Sequence, residues 1–88
     1  MQLPATLTLA QAEPTLAALR QQLPAQGAQV SLDASALREF DSAALAVLLA
    51  LRRDCHALGK ALVCSHLNPR LGALAALYGV SELIDAES

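Results

Sequence analysis

Residues 28–67 read AQVSLDASALREFDSAALAVLLALRRDCHALGKALVCSHL, and their pattern sets the fold class. Ala28 to Leu32 reads as a strand, with Val30 and Leu32 on one face. Asp33 to Phe40 is a connection carrying two apolar anchors, Leu37 and Phe40. Asp41 then opens the longest helix, which runs to Leu58. A carboxylate there accepts from backbone N–H groups that have no partner inside the first turn. Gly59 ends the helix, because glycine takes the left-handed conformation past a helix end without strain. Ala61 to Leu67, β-branched at Val63, is the next strand. A strand, a long helix and another strand predict parallel pairing with a right-handed crossover.

Working outward, Leu3, Ala5, Leu7 and Leu9 alternate with Pro4 and two threonines, as a half-buried strand does. Pro4 suits a strand start or edge. Pro14 is placed as the start of a helix, with Leu16, Leu19 and Leu23 at helical spacing and Pro24 at its end. After the third strand, Asn68-Pro69 is a cap followed by proline at the first helical position. Leu71, Leu74, Ala75 and Tyr78 form that helix's apolar face, Gly79 ends it, and Val80 to Ile84 is expected to pack back on the body. The order is β-α-β-α-β-α, an α/β domain with a largely parallel sheet.

The 88 residues make one small domain, 1–88. Hydrophobic residues are 55% and charged residues 16%, too apolar for a disordered segment. Aromatics are 2%, so Leu, Ala and Val must build the core. Six Lys and Arg at a net charge of -2 argue against a general nucleic-acid binder, which needs clustered cations. Mean hydropathy is +0.41, but the longest apolar run, Ala43–Leu51, is far short of the ~20 residues that span a bilayer. With no cationic segment leading an apolar one at the N-terminus, a soluble cytoplasmic protein is expected, without direct membrane insertion. Its apolar content exceeds what a domain this small can bury alone.

Cys55 and Cys64 are too few for a disulfide framework and match no zinc spacing. Cys55, His56, Cys64 and His66 could in principle supply four metal ligands, but the favoured reading is one buried thiol on a helix and one on a strand, with His56 and His66 as ordinary histidines. No metal and no cofactor are expected. GxGxxG, GxxxxGK[ST] and GxSxG are all absent, and neither histidine has a context that marks it as a base for Ser42. The chain is expected not to be an enzyme.

The long helix carries an apolar stripe, Ala44, Leu48, Leu51, Cys55 and Leu58, that must face the sheet. Leu45 and Leu49 flank it on one side and Val47 on the other. The remaining face is Ala46, Ala50, Arg53 and Ala57, with no Glu, Lys or Gln in its first two turns. Alanine as an inexpensive helix former is one explanation. Burial on both sides is another. The favoured one is a docking surface, where small side chains admit a close approach and arginine adds polar contacts. Ser42, after the capping Asp41, is either a good first-turn residue or a hydroxyl placed where a phosphate is tolerated.

The stretch Leu32–Leu49, LDASALREFDSAALAVLL, resembles the signature of STAS domains, the anti-sigma-factor antagonists and their relatives. Asp41-Ser42 is its specific part, and the likeness continues through Gly59-Lys60, Asn68-Pro69 and Leu74–Gly79, nearly the whole chain. It implies a STAS-type fold, a four-stranded, partly mixed sheet with helices packed mainly on one face. Three strands are clear; the fourth belongs either to an N-terminal hairpin or to the Asp33–Phe40 region.

Within the family the chain most resembles the small STAS subunit of Mla-type phospholipid ABC transporters, through its shortness, Asp41–Ala46 and Leu74–Tyr78. That likeness implies an accessory subunit for phospholipid transport and outer-membrane lipid asymmetry. It would bind the transporter's ATPase subunit, support assembly and activity, and lie peripheral to the inner membrane through the complex. The expected contact residues are Asp41, Ser42, Ala43, Leu45, Ala46, Leu49, Ala50 and Arg53. The alternative is an anti-sigma-factor antagonist bound by an anti-sigma kinase and phosphorylated at Ser42. Ala43 and Ala44 stand where that subgroup carries a second hydroxyl and then glycine, which weakens phosphoregulation more than docking.

Overall fold

The computed structural model describes residues 1–77 and 86–87. Tyr78, Gly79 and the expected tail Val80–Ile84 lie outside the described residues. The elements are β1 (Thr6–Leu7), α1 (Leu9–Gln22) with a 3-10 turn at Leu23–Ala25, β2 (Gln29–Asp33), β3 (Glu39–Phe40), α2 (Ser42–Ala57), β4 (Ala61–Ser65), α3 (Pro69–Leu77) and β5 (Ala86–Glu87).

The first segment departs from the expected strand at 3–9. Leu3 N–H donates to Asp33 O (2.9 Å) and Asp33 N–H donates to Met1 O (2.8 Å), so Met1–Leu3 runs beside the end of β2. Pro4, with no N–H to give, breaks that run. Pairing resumes one strand over, where Ala5 O accepts from Arg38 N–H and Glu39 N–H and Thr6–Leu7 pairs with Glu39–Phe40. Helix α1 then begins at Leu9 rather than Pro14. Thr8 caps it: Thr8 N–H and hydroxyl both donate to Gln11 Oε1, at 3.0 and 2.6 Å. Pro14 is thus interior and forgoes one helical hydrogen bond.

Beyond the three expected strands, the Asp33–Phe40 region contributes β3 and Ala86–Glu87 forms β5. Asp33 Oδ1 accepts from Ser35 N–H (2.9 Å) and Leu37 N–H donates to Ala34 O (3.1 Å), a turn that separates β2 from β3. Because of it the strands form two sheets, β1-β3 and β2-β4-β5, in place of one four-stranded sheet. Every described pair is parallel, so no mixed pairing is present among the described residues. The long crossovers through α1 and α2 require this, since antiparallel neighbours need only short turns.

In β2 the side chains alternate, Val30 and Leu32 buried, Gln29 and Ser31 exposed. Register sets Val30 beside Leu62 and Leu32 beside Cys64. One face is therefore packed and the other is open. Leu48, Leu51 and Cys55 of α2, Leu19 of α1 and Leu71 and Ala75 of α3 close the core with Leu7 and Leu37. Helix α1 also lies along α2, with Arg20 paired to Asp54. That contact buries more of α2 than the sheet alone would. Leu45 is 3% exposed and Ala50 9%. Ala50, expected on an open face, is instead covered, and burial on both sides is correct for that part of the helix. Leu58, expected to face the sheet, is 53% exposed, because it is the cap where the helix has ended and Gly59 turns left-handed (φ 71°).

Candidate functional site

Parallel strands send each following helix off the same edge of the sheet. Here β1 leads into α1, β3 into α2 and β4 into α3, so three helix starts gather at the carboxyl ends of the strands. In α/β folds that edge is where binding residues collect.

Asp41 is central to the edge. Its Oδ1 accepts from Ala43 N–H (2.8 Å), capping α2 as the sequence implies. Its Oδ2 accepts from Leu9 N–H (3.3 Å), the first residue of α1. One carboxylate thus meets the orphan donors of two helices, whose partial positive charges favour it there. At α3 the cap is Asn68, whose Oδ1 accepts from Arg70 N–H (2.9 Å). The Arg70 guanidinium lies 5.2 Å from the Phe40 ring centroid and donates to Arg38 O (3.2 Å), tying α3 to β3.

Ser42 is exposed, as the first residue of α2. From it an accessible line runs along the helix through Ala46, half-buried Leu49 and Arg53, at the i, i+4, i+7, i+11 spacing of a single face. Ala43 is half-buried beside its start. Of the eight residues expected to touch a partner, Asp41, Ser42, Ala43, Ala46, Leu49 and Arg53 are accessible, whereas Leu45 and Ala50 lie in the interior. Leu9, 79% exposed and hydrogen-bonded to Asp41, joins this region, and the reading from sequence missed it. The pattern Thr8-x-x-Gln11 carried the signal, since a hydroxyl followed three residues later by Gln marks a helix start.

A second polar group sits at the end of β2. His66 Nδ1 is 3.5 Å from Asp33 Oδ1, and His66 holds a left-handed backbone (φ 57°). The Ser35 N–H donated to Asp33 holds that carboxyl below its ordinary range, with the Ser35 hydroxyl and His66 adding to the effect against slight desolvation. His66 therefore faces Asp33 rather than Ser42, and His56 is in the last turn of α2. Cys55 and Cys64 are buried, on α2 and β4 as expected, and burial pushes the Cys55 thiol up, away from the reactive thiolate. Among the described residues no group of three His, Cys, Asp or Glu is placed to hold a metal, and no helix is long and apolar enough to cross a membrane.

Among the described residues, one open groove of about 440 Å³ lies between Gln2–Pro4 and the Pro14–Gln22 side of α1, and another of about 290 Å³ between Leu23 and Leu58. Among known proteins, the family model STAS_2, described as "Mlab, STAS domain", matches residues 1–85. No curated protein matches the chain.

Proposed function

The chain belongs to the STAS domain family, and from that premise we propose that it is a non-enzymatic accessory subunit of an Mla-type phospholipid-transport ABC complex. It docks on the cytoplasmic ATPase subunit through the accessible side of α2 and supports assembly and activity of the complex from the cytoplasmic side of the inner membrane. The observation that carries the reading is the line Ser42, Ala46, Leu49 and Arg53, which exposes small and apolar side chains where a free helix ordinarily shows Glu, Lys or Gln. Small side chains let a partner's backbone approach closely, and the flanking arginine supplies a polar contact at the rim. Asp41 fixes the start of that line. Ala43 and Ala44, in place of a hydroxyl and glycine, favour docking over phosphoregulation.

A second reading has one observation in its favour. Ser42 is exposed at the first position of a 16-residue helix, where a phosphate would meet free N–H groups. In that reading the chain is an anti-sigma-factor antagonist switched by a kinase.

One experiment separates the two. The tagged chain is co-expressed with the ATPase subunit of the transporter from the same organism, and protein from native cells is weighed intact. The expected result is a stable complex with the ATPase and an unmodified mass. No complex, together with a phosphate mapped to Ser42, would overturn the accessory-subunit reading.

A further inference from the structure

We draw no further inference here: the strongest candidate, the open groove of about 440 Å³ between Gln2–Pro4 and the Pro14–Gln22 side of α1, carries nothing because no feature of the structure shows what covers it.

Discussion

Leu45 and Ala46 are neighbours on α2, as are Leu49 and Ala50, yet each pair divides between interior and surface. Leu45 and Ala50 are buried; Ala46 is exposed and Leu49 half-buried. Size does not sort them, since the larger member is inside in one pair and the smaller in the other. Position relative to α1 and the sheet does. One side of α2 is covered twice over, and the other leaves Ser42, Ala46 and Arg53 exposed, with Leu49 at its edge half-buried against the core. The first side holds the domain together, and the second is the side proposed to dock.

Substitutions on the two sides should therefore differ in kind. The largest effect is expected at Leu51, fully buried between α2 and the sheet: Leu51→Ala should cost about 2–5 kcal/mol by chemical denaturation, through lost contacts and an unfilled cavity. A loss well under 1 kcal/mol would mean that the core collapses around the gap. Next is a matched pair. Ala50→Glu should destabilise by about 2 kcal/mol or more, because it drives a charge into the interior. Ala46→Glu should stay within about 0.5 kcal/mol of the parent and still lose the ATPase in co-purification. The opposite pattern, with Ala46→Glu unfolding and Ala50→Glu stable, would invert the two sides of the helix.

Smaller still is Asp41→Ala, expected to cost about 0.5–2 kcal/mol through loss of the cap, measured by thermal melting. The smallest effect concerns Asp33. Its carboxyl titrates lower when folded, chiefly because Ser35 N–H donates to it, so its stabilisation is present above the ordinary carboxylate range and is lost as pH falls through the folded value. Asp33→Asn should remove that part of the acid limb in a stability–pH profile and leave neutral pH little changed. An unchanged acid limb would show that the Ser35 contact does not persist in solution.

The boundaries of α2 were legible because each depends on residues adjacent in the chain: Asp41 as the cap, Gly59 at positive φ, and the apolar period between. The start of α1 was equally local, but Pro14 drew attention away from Thr8 and Gln11, and the helix begins five residues earlier than the proline implies. The STAS-like segment from Leu32 to Leu49 could be recognised from its residues alone, and the family match over residues 1–85 agrees with it. Six of the eight contact residues proposed on α2 are accessible in the fold, which a wheel drawn from the sequence could anticipate only in part.

The sequence by itself determined the α/β class, the caps at Asp41 and Asn68, the helical period and the candidate segment at Asp41-Ser42, because these follow from backbone preferences and spacing within a few residues. Tertiary structure alone decided which flank of α2 is covered, that Ala50 is interior and Leu9 exposed, and that one carboxylate serves two helix starts. Those outcomes depend on contacts such as Arg20 with Asp54, 34 residues apart, and Leu9 with Asp41, 32 apart. No local propensity encodes such contacts, since they exist only once α1 has packed along α2.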